Sequence, residues 1–348
     1  MDVQPRTTGS GGPDDRADAA AGDPVAAVEL ALRAPSVHNT QPWRWRIGPD
    51  EVQLHADRFR HLAATDPDRR DLLISCGAAL HHLRAALAGA GVAERVALLP
   101  DPANRLHLAT VRAVTGPPDP ALVRMASSIT RRRTDRRRLS HRPVPAELRD
   151  ALVRRAGAEG PLLVPVVAAA RRELLLATLA EASSLQRHHP GYAAELQRWT
   201  HRPAHTHDGV PAENVPPPPI GASVPAPQRP FGPAGLARSP ARPGRDPDED
   251  DGALFLVLVT AGDTERDRML AGQAASAVLL TATGMGLATT PFSQAVEVGA
   301  SRLRLRRDVL GIPEHPQLVI RVGWPAPGAD PLPASPRRPF TAVRLPTG

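Results

Sequence analysis

The chain has 348 residues, enough for one large domain or two of ordinary size. Its 41% apolar share excludes a disordered chain, and its single cysteine excludes an intrachain disulfide. The net charge is +7 and every one of the 43 basic residues is arginine. Guanidinium keeps its proton at any accessible pH, so with 40 prolines alongside, this excess reads as a compositional bias and not as a nucleic-acid signal. Residues 1–23 hold no apolar stretch that could serve as a signal peptide, and the apolar stretches at 161–170 and 253–259 are too short to span a bilayer. A soluble cytoplasmic protein with no membrane partner is the expectation.

An N-terminal tail, expected to be disordered, occupies residues 1–23. A short helix follows, carrying Ala26, Val28, Leu30 and Leu32 and running into Pro35. Residues 43–47 alternate like a strand, and 51–57 form a second one. The segment 71–91 is a strong helix, because Leu72, Leu73, Cys76, Ala79, Leu80, Leu83 and Leu87 recur at helical spacing. Residues 96–100 and 106–114 read as strands. A second part starts with a helix over 119–131, then an arginine-rich run, then helices over 145–157 and 171–186. Between 188 and 251 the chain is too rich in proline and glycine for helix or strand and too long for an ordinary connection. After it come a buried strand (253–260), a long amphipathic helix (264–284) and a final strand (316–322).

The order of elements repeats. DPVAAVELALRAPSVHNTQPWRW in the first part matches the pattern of VPAELRDALVRRAGAEGPLLVPV in the second, and the helix at 71–91 matches that at 267–285. The domain reading is therefore two related halves, 24–118 and 119–348, with a proline-rich insertion at 199–250 in the second.

Four segments carry groups suited to holding an anionic, ring-bearing ligand. The first is Pro35-Ser36-Val37-His38-Asn39-Thr40-Gln41-Pro42-Trp43. By itself it is equally a capped helix end and turn, but its amides can both donate to and accept from a heterocycle. The second is Arg132-Arg133-Thr134-Asp135-Arg136. As a bare string it is a solvated patch, yet its guanidinium forks match phosphate oxygens. The third runs from Gly284 and Gly286 through Thr290, Pro291, Phe292, Ser293 and Gln294, and the fourth is Pro336-Arg337-Arg338-Pro339. The histidine pairs His81–His82, His188–His189 and His205–His207 complete no metal-ligand set, and Cys76 on an apolar helix face reads as a core thiol.

Taken together and in this order, the segments resemble the nitroreductase family of FMN-dependent oxidoreductases, and within it the fused-subunit Acg-type branch. The resemblance covers about residues 24–345. It implies an α+β fold of two halves with mostly antiparallel sheets flanked by helices, related by a pseudo-twofold axis, with FMN at their boundary. Pro35, Ser36, Asn39 and Gln41 would face the flavin ring. Arg132, Arg133, Thr134 and Arg136 would hold the phosphate, ribityl chain and pyrimidine edge, with Arg136 as the cation beside N1 and O2. Thr290, Pro291, Ser293 and Gln294 would lie opposite N5, and Arg337 and Arg338 would close on the phosphate. No side-chain acid or base is required, because the cofactor carries the hydride.

The first half keeps the Pro-Ser-x-x-Asn element without an arginine motif before it; the second keeps the arginine motif but has residues 157–161 where Pro-Ser-x-x-Asn belongs. Two incomplete halves make one site, so one FMN per chain is expected, in a monomer with an internal pseudo-dimer or a homodimer of it. The implied activity is ping-pong hydride transfer from NAD(P)H through flavin N5 to a nitroaromatic, a quinone or a similar small conjugated acceptor. The alternative is a non-catalytic protein that stores FMN beneath the 199–250 segment acting as a lid. In that case Trp199 either packs on the ring or anchors the segment. A nucleic-acid binder, the third reading, predicts no yellow colour.

Overall fold

In a computed structural model, residues 22–203, 205–211 and 252–346 are described. Residues 1–21 of the tail expected at 1–23 and most of the 199–250 insertion lie outside them, while Asp23 caps the first helix. Helix α1 (Pro24–Ala31) opens with a proline whose missing N–H would be unbonded there anyway, and the Asp23 side chain accepts from the Val25 amide at 2.9 Å. Strands β1 (Trp43–Ile47) and β2 (Glu51–Ala56) form an antiparallel hairpin. Helix α2 (Arg70–Gly89) follows, then β3 (Ala93–Leu98) and β4 (His107–Val114). Their sheet has the order β1-β2-β4-β3, antiparallel throughout.

Helix α3 (Pro120–Ala126) links to the second half, where α4 (Ala146–Gly157) leads into β5 (Leu162–Val166). The helix expected over 119–131 stops at Ala126, where Ser127 and Ser128 begin a run of turns. Next come α5 (Ala169–Arg187), α6 (Tyr192–Trp199), and the short parallel pair β6 (Thr200–Arg202) and β7 (Val210–Pro211). Strand β8 (Leu254–Thr260), helix α7 (Glu265–Gly284), strand β9 (Ala288–Phe292), helices α8 (Gln294–Glu297) and α9 (Gly299–Arg304), strand β10 (His315–Gly323) and helix α10 (Phe340–Val343) complete the chain. The second sheet has the order β5-β8-β10-β9, again antiparallel.

The two sheets carry the same permutation. With α5 to β7 and α8 to α9 set aside as insertions between strands of the second half, each half reads helix, strand, strand, long helix, strand, strand, and in each the last strand lies inside the third. The two long helices pack on one another at the centre. Arg70 of α2 corresponds to Glu265 of α7, Ile74 to Met269 and Gly77 to Gly272, a constant offset of 195. Gly77 and Gly272 face each other where the helices cross. A Cβ on Gly77 would lie 3.0 Å from the Gly272 Cα and closer still to the Met269 carbonyl oxygen. A Cβ on Gly272 would lie 2.8 Å from the Gly77 Cα and closer still to the Ile74 carbonyl. Each glycine thus abuts the counterpart of the carbonyl that abuts its mate. A pseudo-twofold axis through this crossing requires that reciprocity.

Two readings of the sequence need correction. The 188–251 stretch contains a helix after all: Tyr192, Leu196 and Trp199 recur at helical spacing and are buried, so α6 is held by packing despite the prolines around it. And 161–170 and 253–259 are not the longest apolar stretches: α2 is long and apolar enough to cross a membrane by length and composition, but its most apolar 18 residues are 89% buried inside the protein. Burial on every side by α1, α3, α7 and the first sheet accounts for its apolar surface.

Candidate functional site

The cavity between the halves is lined by residues 35–38 of the first motif, Thr134 and Arg136 of the second, and 291–294 of the third. Helix α2 adds Asp71, Ile74, Ser75 and Ala78, α7 adds Ala275 and Leu279, and β10 adds Leu318. With its mouth to solvent it encloses about 800 Å³. Chain segments more than 250 residues apart therefore share one wall.

Backbone pairing explains why. The second motif runs beside β9: Thr134 bridges Thr289, the Asp135 amide donates to the Thr289 carbonyl at 2.9 Å, and the Thr290 hydroxyl donates to the Asp135 carbonyl. Thr290 is spent on this tie and does not line the cavity, whereas Pro291, Ser293 and Gln294 do. Asp135 holds Arg137 in an ion pair at 2.8 Å, which leaves the motif's strand as a rigid arm.

The first motif is a strained loop. His38, Asn39 and Gln41 have φ of 47°, 54° and 51°, a region that residues with a Cβ occupy rarely. Ser36 Oγ accepts from the Gln41 amide at 2.9 Å, and the Ser75 hydroxyl accepts from the Val37 amide at 3.3 Å. The Asn39 side chain donates to the carbonyls of Gly209 and Pro336, both at 3.0 Å; that of Gln41 donates to the His207 carbonyl at 2.8 Å and accepts from the Arg338 amide at 2.9 Å. Both amides thus point away from the cavity and hold chain segments onto the loop. Asp208, between those anchor points, pairs with Arg60 and, at 2.7 Å, with Arg202. Trp199 is buried beneath the same cations, with Arg60 5.0 Å from its ring centroid, and it does not line the cavity. It anchors the segment.

Beside Thr134 and Pro35 sit two buried cations, Arg132 and Arg337, with no counter-charge among the described residues. Arg132 is 5% exposed; among those residues its guanidinium reaches Thr134 Oγ1 and the Arg33 carbonyl, each at 3.5 Å. Arg337 donates to Asn39 Oδ1 at 2.9 Å and to the Arg33 and Ala34 carbonyls at 3.1 Å. Among the described residues neither forms an ion pair, and the Nε of each is buried without a partner. Burial, and then repulsion by Arg133 and Arg136, pulls Arg132 down to about 10; burial, followed by Arg132, Arg33 and Arg133, pulls Arg337 down to about 9. Such a cluster is destabilising until an anion enters it. Arg133 contributes from the half-exposed rim, donating to the carbonyls of Thr130, Arg132 and Leu332. Arg338 is bound to the Gln41 carbonyl and to Asp57 and stands farther off.

Sequence reasoning missed the contribution of α2. Asp71 and Ser75 are polar residues among the apolar side chains Leu72, Leu73, Ile74 and Cys76 at the start of the helix, and that mismatch was the available signal. Behind them Asp66, 3% exposed, accepts from the Leu72 amide at 2.9 Å. Burial, reinforced by the nearby Glu297 charge, pushes its carboxyl from 3.8 up to about 6. Because the folded pKa lies above the unfolded one, the folded state holds the extra proton, and stability is lost as pH rises from about 4 through 6. His55, His81, His82 and His107, whose lowered pKa values act in the opposite sense over the same window, mask this in the intact chain alone, so thermal melts over pH 4–7 should show it as a loss of about 2–3 kcal/mol relative to Asp66→Asn. A difference between the two proteins that does not change with pH would exclude Asp66 as its source. Cys76 is fully buried, burial pushes its thiol well up, and it donates to the Pro42 carbonyl at 3.3 Å, the behaviour of a core residue.

No family model matches the chain. Among known proteins it is similar to Rv3131 of Mycobacterium tuberculosis strain H37Rv, provisionally named an NAD(P)H nitroreductase. The two are 43% identical over 316 residues, which is 91% of this chain and 89% of that protein. It is also similar to acg of the same strain, which carries the same provisional name, at 35% identity over 322 residues, 91% of this chain and 94% of the relative. Among solved structures, a nitroreductase with bound FMN from Desulfitobacterium hafniense aligns over 65% of this chain and 98% of its own, at 13% identity and a TM-score of 0.39. The FMN-dependent nitroreductase NfnB from Mycobacterium smegmatis, solved with NADPH, aligns over 65% and 95%, at 19% identity and a TM-score of 0.34. By its sequence identity over 91% of its length, the chain belongs to the NAD(P)H nitroreductase family.

Proposed function

We propose that the chain is an FMN-dependent NAD(P)H oxidoreductase of the fused, Acg-type kind, in which halves 24–118 and 119–348 together hold one flavin. The observation that supports this most is the pair Arg132 and Arg337, buried with no counter-charge among the described residues, next to Thr134 and Pro35 of a cavity walled by both halves. A phosphate dianion fits that chemistry, because it satisfies the orphaned guanidinium donors and removes the mutual repulsion. Bound FMN would accept a hydride from the nicotinamide and pass it to a conjugated acceptor such as a nitroaromatic or a quinone.

The residues divide by what they touch. Arg132 and Arg337 bind the phosphate, with Arg133 at its rim. Thr134 and Ser36 offer hydroxyls along the cavity, and Arg136 supplies a positive charge to the electron-rich edge of the ring. Asn39, Gln41, Arg338 and Thr290 act as positioning residues, since they hold the two motif segments rather than the cavity itself. Pro291, Ser293 and Gln294 form the facing wall, where the nicotinamide and the acceptor would take turns.

The contacts of residues 207–209 with Asn39 and Gln41 also favour a second reading, storage of flavin beneath the insertion, because they fix its described end against the cofactor loop. Anaerobic mixing of the flavin-loaded protein with NADPH or NADH decides between the two. Bleaching of flavin absorbance within seconds is the result expected of the enzyme. Persistent colour, with bleaching restored on deletion of residues 212–250, would establish storage instead.

A further inference from the structure

Helix α2 carries Asp71, Ser75 and Ala78 into the cavity along one stripe, and the next position of that stripe is His82. Its side chain is fully buried, and its Nε2 has no hydrogen-bond partner among the described residues. Arg132 and Arg337, whose Nε atoms share that condition, are close enough to press their charge on the ring.

The tautomer of His82 follows from its other partners. Nδ1 lies 3.0 Å from the Ala78 carbonyl and 2.8 Å from Ser276 Oγ. A carbonyl only accepts, so Nδ1 carries the hydrogen. Ser276 accepts from it as well and gives its own proton to His81 Nδ1, also at 2.8 Å. His81 then keeps its hydrogen on Nε2, which faces Glu159 at 3.7 Å. That carboxylate is held in addition by Arg84 at 2.7 Å and Arg155 at 2.9 Å. The bare lone pair of this row is left at His82 Nε2. Burial first, then Arg132, His81 and Arg337, hold the ring well below its ordinary 6.5 against the opposing bond to Ala78, so it is neutral in the flavin-free chain.

An anion reverses this balance. A lone pair that suits two guanidiniums repels a phosphate dianion, and a proton on Nε2 turns the repulsion into a charge-assisted bond. Moving the ring's own hydrogen from Nδ1 to Nε2 would instead set a lone pair against the Ala78 carbonyl. We infer that His82 is a third member of the anion site, and that its Nε2 takes up one proton from solvent when a dianion enters beside Arg132 and Arg337. The only bond formed is the new N–H, and imidazole becomes imidazolium. The inference rests on the proposed function only in naming FMN as the carrier of the phosphate.

Calorimetric titrations of the flavin-free chain, in buffers of different ionisation enthalpy, count the proton. At about pH 7.5, where a phosphate monoester is mostly a dianion, FMN should bring about one proton per chain. Its dissociation constant should rise up to about tenfold per pH unit above that. Riboflavin, which lacks the phosphate, should bring none, and sulfate, a dianion with no proton to exchange, should bring about one. In His82→Gln, whose amide donates without titrating, FMN should bind with no uptake. FMN binding without uptake in the wild type, equal uptake with riboflavin, or equal uptake in His82→Gln would each overturn the inference. Failure of both FMN and sulfate to bind would overturn it too. If sulfate brings its proton and FMN does not bind, the proposed function fails and the inference stands. Should His82→Gln not fold, the wild-type titrations with FMN, riboflavin and sulfate still decide.

Discussion

Replacing Arg132 with methionine should raise the stability of the flavin-free chain and, in the same protein, weaken its hold on FMN. Ordinary core substitutions do not behave this way, because most of them lose stability. Arg132 differs because its charge is buried with no counter-charge among the described residues, and its neighbours Arg133 and Arg136 add repulsion. A methionine of similar length keeps the packing and removes that penalty, a gain of about 1–3 kcal/mol without ligand. With FMN present the missing charge-assisted bonds to phosphate should lower affinity on the order of 10- to 100-fold. Arg337→Met should move both quantities in the same directions, and the double variant should purify colourless. Melting curves with and without FMN check this. If Arg132→Met were less stable without flavin and still fully loaded with it, the guanidinium would be a structural residue and the phosphate would have to lie elsewhere.

Gly77→Ala should be severely damaging for a single added methyl group. The added Cβ would strike the Met269 carbonyl and the Gly272 backbone, neither of which can swing aside as a side-chain tip can. The α2–α7 crossing must then open, and every contact along both helices is loosened with it. A loss of about 3 kcal/mol or more is expected, and Gly272→Ala should match it because the two positions are symmetry mates. Gly157→Ala supplies the control. A Cβ there meets nothing within 4 Å, so the same chemical change at the end of α4 should be neutral or slightly stabilising. Equal tolerance of all three substitutions in thermal melts would show that the halves do not pack through this crossing.

Much of the fold was legible because it is written in periodicity. Helices α2 and α7 and strands β1, β2, β4, β8 and β10 follow directly from the spacing of apolar residues, and the repeat of their order foretold two sheets of one design. What escaped notice is carried by tertiary packing. Helix α6 is short and flanked by prolines, and it exists because Tyr192, Leu196 and Trp199 have a surface to bury against. The closeness of Gly77 to Gly272 cannot be seen in either helix alone.

The candidate site divides along the same line. The residue types and their order were visible in the chain: Ser36, Thr134, Arg136, Pro291, Ser293 and Gln294 all reach one cavity. The orientation of Asn39 and Gln41 was not, because it is decided by segments about 170 and 300 positions away that dock onto their side chains. Motif spacing gives the identity of a group and its neighbourhood. Which way an amide points is settled only when all of its partners are in place.

The most direct check of a single split site is the flavin content of the purified chain. Protein reconstituted with FMN and freed of excess should carry one FMN per 348-residue chain, by absorbance of the released cofactor against protein mass. Two per chain would mean that each half builds a site of its own, and none would remove the flavin from the account altogether.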